Sequence, residues 1–355
     1  MTDTPVRTSD RRLLFGTALA VIGLLWLLAG LAFLPGGEGW GYDYRAYADA
    51  AERLAESGSL YQAETLDGPY RPGPYGLYMY APPLGVAIGP LASIELDTAI
   101  VIWFLLHGLA LAGACALMPV ERWVKLAVFG TAAISLAVLR DFALGNVSVL
   151  LLLPLAAAWR WLDRPAGAIA QAVAMAVRPM LGLLLVWQLL RRQWRAVAWT
   201  IGAGLVLILA SLPFVGLEGY SDYLTVLRNL GGVTGVDKNH DLSSSLLELR
   251  VDESVANLAL LVGYALGIAA IVLSLRRDRE LGFVVTAGAS LLLSPLLWDH
   301  YLAMLVLPAA FLAARGQTWA LALPLLTWLP GAALPFVALA GVWLPFLARE
   351  PEPRS

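Results

Sequence analysis

Apolar runs of membrane length, separated by short polar stretches, make up most of this chain. The first run extends from Leu13 to Leu34, long enough to cross a bilayer as a helix, which takes about 20 residues. No small-residue cleavage site follows it, so we interpret it as a retained span rather than a signal peptide. Further apolar segments lie near 96–118, 126–142, 147–162, 165–178, 180–190, 195–215, 255–275, 280–297, 299–315, 317–330 and 331–347. The pattern predicts an all-α polytopic membrane protein of about twelve transmembrane helices.

Several of the predicted spans are shorter than a straight crossing needs, notably 180–190. Such segments are expected to be tilted, kinked or broken helices that pack inside protein. The apolar stretch 81–92 is short and begins with two prolines, so we predict an interfacial or re-entrant segment. The expected helix breaks lie at prolines within apolar runs: Pro179, Pro213, Pro295, Pro324 and Pro335.

Composition agrees with a membrane protein. Of the 355 residues, 59% are hydrophobic and 14% charged, and the mean hydropathy is +0.72. A soluble chain of this size needs far more surface charge. The single cysteine, Cys115, lies in an apolar run, so it cannot form a disulfide or zinc framework within the chain and is interpreted as a packing residue.

Charge distribution predicts the orientation. With the N-terminus in the cytoplasm and the spans alternating, 16 of the 24 Lys and Arg residues fall in short cytoplasmic segments, as the positive-inside bias requires. The same arrangement puts 18 of the 26 acidic residues outside. It predicts a single domain, 1–355, with both termini cytoplasmic, outer loops at about 35–95 and 216–254, and a cell-membrane location.

The first outer loop carries the most distinctive polar sequence, in which Asp43 lies among Tyr42, Tyr44 and Tyr47. An amphipathic helix is predicted from Ala46 onward, lying along the membrane surface. Asp43 then has two interpretations that spacing does not separate. It is either an acid that satisfies free N–H groups at the start of the helix or a general base at the mouth of a cavity.

Tyrosines continue through the end of this loop, at near-alternate positions: Tyr70, Tyr75, Tyr78 and Tyr80. They fit either an aromatic belt at the membrane interface or a stacking surface for a sugar or lipid headgroup. Both interpretations stay open.

Other polar residues interrupt apolar sequence on the same predicted side. An arginine at membrane depth is costly, so Arg178 is predicted to be functional, with a phosphate or carboxylate partner. His300 fits either an interfacial residue or a functional one, and His107, within a span, is interpreted as a hydrogen-bonded packing residue. Further residues predicted as possible substrate contacts are Tyr42, Tyr44, Tyr47, Asn146, Asn239, Arg250, Trp298 and Asp299.

Several chemistries have no sequence support. The chain has no phosphate-binding P-loop, no HExxH, CxxC or GxSxG motif, and no Asp-x-Asp pair on the outer side. We therefore expect no metal and no cofactor. No basic, aromatic-rich patch indicates nucleic acid as a partner. The lipid bilayer is the expected environment.

The ordered set of motifs resembles glycosyltransferase family 87. The matching pieces are Gly41, Asp43 and Tyr47; Pro82-Pro83-Leu84; Gly145-Asn146; Arg178-Pro179; Arg191-Arg192-Gln193-Trp194-Arg195; and Ser294-Pro295 with Trp298-Asp299-His300-Tyr301. The resemblance extends from about residue 13 to residue 310. Two pieces depart from the family pattern: the family often has Gly-Gln before its Asn where this chain has Gly145 directly, and Arg178 replaces the usual lysine.

The resemblance implies a GT-C-like helical bundle with a structured outer loop after the first helix. It implies an inverting transfer of sugar, mannose above all, from a polyprenyl-phosphate donor to a glycolipid or polysaccharide acceptor on the outer face. In that family pattern Asp43 is the general base and His300 holds the donor phosphate, with Arg178 as a further phosphate contact. The alternatives are an arabinofuranosyl donor or, from another class, a carrier or flippase of lipid-linked sugars.

Overall fold

The computed structural model describes residues 8–37, 39–68, 76–230 and 239–348. All regular elements within these residues are helical. The α-helices are α1 (Thr8–Phe33), α2 (Tyr42–Ser57), α3 (Ala63–Leu66), α4 (Pro82–Ala92), α5 (Leu96–Leu117), α6 (Arg122–Ala133), α7 (Leu136–Leu144), α8 (Ser148–Arg160), α9 (Pro165–Val177), α10 (Leu183–Leu190), α11 (Trp194–Leu230), α12 (Leu242–Glu248), α13 (Glu253–Ser274), α14 (Arg279–Leu292), α15 (Val306–Ala314) and α16 (Leu334–Trp343). The 3-10 helices are Pro179–Gly182, Asp299–Leu305, Thr318–Trp328, Gly331–Ala333 and Leu344–Leu347.

Four of the described helices, α1, α5, α11 and α13, are long and apolar enough to cross a membrane. A fifth span exists if α6 and α7, which meet at a bend of 63°, count as one broken crossing. The other apolar segments are shorter helices, so the chain has the character of a membrane protein while the count of twelve spans is not confirmed. Each predicted apolar segment nevertheless corresponds to helix.

Long and short helices differ in their surroundings. The long ones present large apolar side chains outward; Leu25 of α1 and Leu209 of α11 are 60% and 63% exposed. In α14, by contrast, all residues from Leu281 to Leu292 are buried. A helix that is apolar on all sides and surrounded by protein belongs to the core of the bundle. It can therefore be shorter than a crossing, because protein rather than lipid covers its ends.

The predicted helix breaks are correct at two of the prolines. α9 ends just before Pro179, and the chain from Ser294 to Trp298, around Pro295, is not helical. Pro213 lies inside α11, whose non-helical residue is Gly216, at φ 63°. That left-handed conformation is open to glycine without a Cβ clash, so the change of direction falls there. Pro324 lies inside a 3-10 helix and Pro335 in the first turn of α16.

The amphipathic helix of the first loop forms, but it begins four residues earlier than predicted. α2 starts at Tyr42 and ends before Gly58, whose φ of 77° closes it. Asp43 is therefore in the first turn of α2 rather than ahead of the helix. The face of α2 that carries Tyr44 and Tyr47 is buried. Two of the tyrosines considered for stacking, Tyr70 and Tyr75, lie outside the described residues.

Several of the basic residues predicted to share one side lie at one end of the bundle. Arg315 Nη1 lies 3.0 Å from Asp278 Oδ2, and Arg191 Nη1 donates to the carbonyl of Arg277 over 2.8 Å. Arg279 pairs with Asp163. We call this the arginine end; its assignment to the cytoplasm remains a prediction.

Three short helices lead from the arginine end to the candidate site. α8 and α9 have 13 residues each and α14 has 14, which at 1.5 Å per residue gives about 20 Å. The hydrocarbon core of a bilayer is about 30 Å thick. Each of these three helices is therefore shorter than that core.

Candidate active site

Asp43 is held where the first loop meets the bundle. Gly41, at φ 67°, precedes α2, and its N–H donates to the carbonyl of Ala143 over 2.8 Å, which ties the loop to the end of α7. A Cβ at Gly41 would lie 2.6 Å from Ile100 Cδ1, so the close approach requires glycine. The start of α2 is thereby fixed above the ends of α5 and α7.

The carboxylate of Asp43 contacts a residue far away in sequence. Asn146 Nδ2 donates to Asp43 Oδ2 over 2.8 Å. No side chain caps the N-terminus of α2, so the interpretation of Asp43 as a helix-capping acid has no support from the geometry. Asn146, predicted as a possible substrate contact, is instead the partner of this carboxylate.

Burial dominates the electrostatics of Asp43. It raises the pKa of this carboxyl above the ordinary value, while a positive charge on His300 and the hydrogen bond from Asn146 act in the opposite direction. The net result is a raised pKa. A carboxylate whose pKa moves toward neutrality accepts a proton more readily, which is what a general base requires.

The side chain of Asn146 is fixed at both ends. Its Oδ1 accepts hydrogen bonds from Val147 N over 2.8 Å and from Ser148 Oγ over 3.0 Å. Its Nδ2 therefore points to Asp43 and, over 3.2 Å, to Tyr80 Oη. Gly145 adopts φ 70° in the same turn, and a Cβ there would lie 2.8 Å from Tyr44 Cβ. The turn accordingly accepts only glycine at that position.

A fully buried acid, Asp141, supports the turn that contains Gly145 and Asn146. Asp141 accepts hydrogen bonds from the N–H groups of Ser148 and Val149, each over 3.0 Å, at the start of α8. Its Oδ1 also lies 3.2 Å from His107 Nε2. His107, interpreted from the sequence as a hydrogen-bonded packing residue, contacts the carbonyls of Trp103 and Asn146. A histidine within a span and an acid within apolar sequence are unusual, so the sequence marked both members of this pair. It gave no indication that His107 contacts Asn146.

The tyrosines around Asp43 are mostly structural. Tyr44 and Tyr47 are 0% and 1% exposed, with Tyr44 packed 5.4 Å from Trp103 between ring centroids. Tyr47 Oη donates to Tyr80 Oη over 3.2 Å. Tyr42 is partly exposed beside Asp43 and is the one of the three open to a substrate. Tyr80, which the sequence offered only as an aromatic-belt or stacking residue, belongs to the site.

Arg178 reaches the same turn from the end of α9. It is 8% exposed, its Nη2 donates to Ser148 Oγ over 3.0 Å, and its guanidinium lies 3.6 Å over the ring centroid of Tyr301. Its Nη1 is buried without a hydrogen-bond partner among the described residues. A buried guanidinium nitrogen that no described residue satisfies can donate a charge-assisted hydrogen bond to an anion.

His300 lies close to Arg178 through a shared neighbour. The ring of Tyr301 is 4.9 Å from that of His300, and the guanidinium of Arg178 lies over the same tyrosine ring. His300 is 4% exposed, and its Nε2 has no hydrogen-bond partner in the described part of the chain. Asp299 Oδ1 lies 3.3 Å from His300 Nδ1, which orients the ring.

The remaining predicted residues have other contacts. Asp299 pairs with Arg140 at 3.4 Å, and the ring of Trp298 stacks on that of His300 with centroids 5.9 Å apart. Asn239 accepts from Leu297 N over 2.9 Å and so supports the segment that carries Trp298. Arg250 is exposed at the end of α12, and the structure shows no contact between it and Asp43, Arg178 or His300.

One continuous chain of hydrogen bonds connects the acid to the arginine. It runs from Asp43 Oδ2 to Asn146 Nδ2, from Asn146 Oδ1 to Ser148 Oγ, and from Ser148 Oγ to Arg178 Nη2. We call it the Asp43–Arg178 chain. Ser148, which sequence reasoning did not single out, is its central member. Within the described ranges, no group of three or more His, Cys, Asp or Glu side chains could hold a metal ion.

The described residues are thus those of an all-helical membrane protein in which a partly buried acid and two unpartnered buried donors meet at one end. The family model of glycosyltransferase family 87 matches residues 78–297, more than half of the chain, and the chain belongs to this family. It is thereby a membrane glycosyltransferase. The matched region contains Tyr80, Asn146 and Arg178; Asp43 and His300 lie outside it. No curated protein matches the chain.

Proposed function

We propose that this protein transfers a sugar from a polyprenyl-phosphate donor to an acceptor hydroxyl, with Asp43 as general base and Arg178 and His300 as ligands of the donor phosphate. The observation that carries the proposal is the Asp43–Arg178 chain, because it connects the proposed proton acceptor on α2 to the proposed phosphate ligand at the end of α9 through Asn146 and Ser148. Transfer between two bound substrates needs these two groups at a fixed separation.

The phosphate assignment rests on donors that have no protein partner. Arg178 Nη1 and His300 Nε2 are both buried and both unsatisfied among the described residues. A buried donor without a hydrogen-bond partner costs free energy, so a ligand that supplies acceptor oxygens is favoured there. A phosphate diester supplies them and brings the negative charge that balances the buried guanidinium.

The reaction follows from these positions. The acceptor hydroxyl gives its proton to Asp43 as its oxygen forms a bond to the anomeric carbon. The bond from that carbon to the phosphate oxygen breaks, and the phosphate leaves with the electron pair. Arg178 and His300 stabilise the charge that develops on the departing oxygen. Attack opposite the leaving group inverts the anomeric centre.

A lipid-linked donor also agrees with the lengths of the helices around the site. Arg178 and Ser148 lie at the ends of helices only about 20 Å long, shorter than the hydrocarbon core of a bilayer, so we expect the phosphate site to lie within the depth of the membrane. A phosphate attached to a polyprenyl chain would reach that depth from within the bilayer. We propose mannose as the sugar, with arabinofuranose as the alternative, and a glycolipid or polysaccharide as the acceptor. From the orientation predicted by the basic residues, we propose that this reaction occurs on the outer face.

The test is a transfer assay with the purified protein in detergent, supplied with labelled polyprenyl-phosphate-mannose and a glycolipid acceptor extract. Detergent removes any transmembrane gradient and any compartment. We expect labelled product to accumulate with the wild-type protein. Binding of the labelled donor without any product, with mannosyl and with arabinofuranosyl donors, would overturn the transferase proposal and favour a carrier.

A further inference from the structure

A second polar cavity lies at the opposite end of the bundle from Asp43. It has a volume of about 550 Å³ and lies between the C-terminal ends of α8 and α15 and the N-terminal ends of α9 and α14. Nothing in the proposed reaction uses it. Its charged lining consists of four arginines and three acids: Arg160, Arg164, Arg279, Arg315, Asp163, Asp278 and Glu280.

Two of the four arginines are neutralised within the protein. Arg315 binds Asp278 through both guanidinium nitrogens, over 3.0 and 3.2 Å, and lies 3.7 Å from Glu280. Arg279 pairs with Asp163. These contacts account for all three acids of the lining.

Arg160 and Arg164 are left with no ion pair in the described part of the chain. Lys125 lies close enough to Arg160 for the two charges to repel each other. Arg164 directly precedes α9; the first residue of that helix, Pro165, has no N–H group, and the N–H groups of Gly167 and Ala168 donate to the carbonyl of Arg164 over 3.0 and 3.4 Å. The positive potential of the cavity therefore comes from the two unpaired guanidinium groups.

Trp159 also lines the cavity, where it is 2% exposed, and its indole Nε1 has no hydrogen-bond partner among the described residues. An indole N–H donates and never accepts, so any group that satisfies this nitrogen supplies an acceptor. The lining thus combines unpaired positive charge with an unpartnered donor, and both favour a ligand that carries acceptor oxygens.

The surface next to the cavity is apolar and exposed, as is typical of a surface in contact with lipid. On α9, Ile169 is 45% and Val173 is 40% exposed. They lie four residues apart, so they share one face of the helix that begins at the cavity. A molecule with its phosphate in the cavity would place hydrocarbon along this face.

We propose that this cavity binds the headgroup of an anionic phospholipid from the leaflet at the arginine end, with Arg160 and Arg164 as its phosphate ligands. Basic pockets between membrane helices select anionic headgroups in this way. The acyl chains follow the apolar face of α9. This site is separate from the donor site and does not depend on the proposed transfer reaction.

The test titrates the purified full-length protein in detergent with phosphatidylglycerol or phosphatidylcholine and counts bound lipid by native mass spectrometry. We expect phosphatidylglycerol to bind the wild type at least tenfold more tightly. Arg160→Gln and Arg164→Gln should each weaken that binding by about 10- to 100-fold, the effect of losing one charge-assisted hydrogen bond. The double variant should bind the two lipids alike.

The matched control is Arg195→Gln with Arg276→Gln, two exposed arginines that do not line the cavity. It should keep the preference for phosphatidylglycerol. An equal loss in the control and the cavity variant would reduce the effect to general charge attraction and overturn the proposal. The last measurement adds inorganic phosphate as a competitor. If millimolar phosphate displaces the bound lipid, the site binds a soluble phosphate compound, and the lipid assignment is wrong.

Discussion

Two acids, the fully buried Asp141 and the partly buried Asp43, contact the same turn at residues 145–148 and differ in how their oxygens are satisfied. Asp141 receives two backbone N–H groups of α8 and lies next to His107, so both of its oxygens have partners. Asp43 has one hydrogen bond from the described residues, to Asn146. Asn146 lies between the two acids, since its backbone contacts His107 and its side chain contacts Asp43.

The comparison distinguishes an acid that stabilises the fold, Asp141, from one that is available for a reaction, Asp43. A buried acid with all its partners in place stabilises the fold and has nothing left to bind a substrate. A partly buried acid with a raised pKa and a single hydrogen-bond partner is the kind of residue that clusters at functional sites. The comparison predicts that changes at Asp43 affect turnover, whereas changes at Asp141 affect stability.

The largest expected effect follows from Asp43→Asn. This change keeps the size of the side chain and removes its ability to accept a proton. Transfer should fall by about 10²- to 10⁴-fold, the usual contribution of a positioned general base. Initial rates with labelled polyprenyl-phosphate-mannose measure it. Asp49→Asn, on the same helix and outside the Asp43–Arg178 chain, is the control and should transfer at close to the wild-type rate; a comparable loss in both variants would show that any lost charge on α2 is enough.

Asp141→Ala should mainly lower the stability of the protein. It leaves two N–H groups at the start of α8 and the ring of His107 without a partner, which should lower the free energy of unfolding by about 3–5 kcal/mol. Asp43→Asn removes at most one hydrogen bond, worth about 0.5–1.5 kcal/mol. Denaturant unfolding of both variants in one detergent gives the comparison. An Asp141→Asn protein as stable as the wild type but unable to transfer sugar would assign Asp141 to the reaction instead.

Loss of the donor-phosphate ligands should raise the donor requirement. Arg178→Ala and His300→Ala each remove a contact worth about 1.5–3 kcal/mol, which corresponds to about 10- to 100-fold more donor for half-maximal rate. Arg178→Lys keeps the charge but loses the fork of the guanidinium, so its defect should be smaller. Donor titrations at fixed acceptor measure these shifts. If neither alanine variant alters the titration, both residues are excluded from the donor site.

The smallest effect concerns pH. Because the pKa of Asp43 is raised, the acid stays protonated to a higher pH than usual, and transfer should increase as pH rises through that pKa. Its contribution to stability has the opposite sign: a raised folded-state pKa favours folding at low pH, and that contribution is lost as pH rises. Rate profiles from pH 4 upward, with Asp43→Asn as the reference lacking the group, test this. An identical rising limb in that variant would assign the titration to another residue.

The sequence predicted which segments are helical better than it predicted which helices cross the membrane. Segments 255–275 and 280–297 were both predicted as spans from their apolar sequence, yet α14 is buried in protein while α13 faces outward with residues such as Leu261, 62% exposed. Hydropathy reports an apolar environment and does not distinguish lipid from protein. For the same reason the short segments could not be sorted into spans and broken helices.

The site was predictable in its chemical groups but not in its contacts. Asp43, Arg178 and His300 stood out because ionisable residues are costly beside apolar sequence. The contact between Asp43 and Asn146 joins residues 103 positions apart and depends on the packing of α2 against α7. Ser148 gave no signal, since a serine at the start of a helix is common. Tyr80 was one of four similar tyrosines, and only packing distinguishes it.

In the proposed mechanism, Asp43 and Arg178 have separate roles and are connected only through Asn146 and Ser148. Single-turnover transfer at saturating labelled donor tests it most directly, in Asp43→Asn and Arg178→Ala side by side. The account predicts that Asp43→Asn binds donor as the wild type does and transfers at least 100-fold more slowly. It predicts that Arg178→Ala needs more donor to reach saturation. An Asp43→Asn protein that transfers at the wild-type rate once saturated would contradict the account.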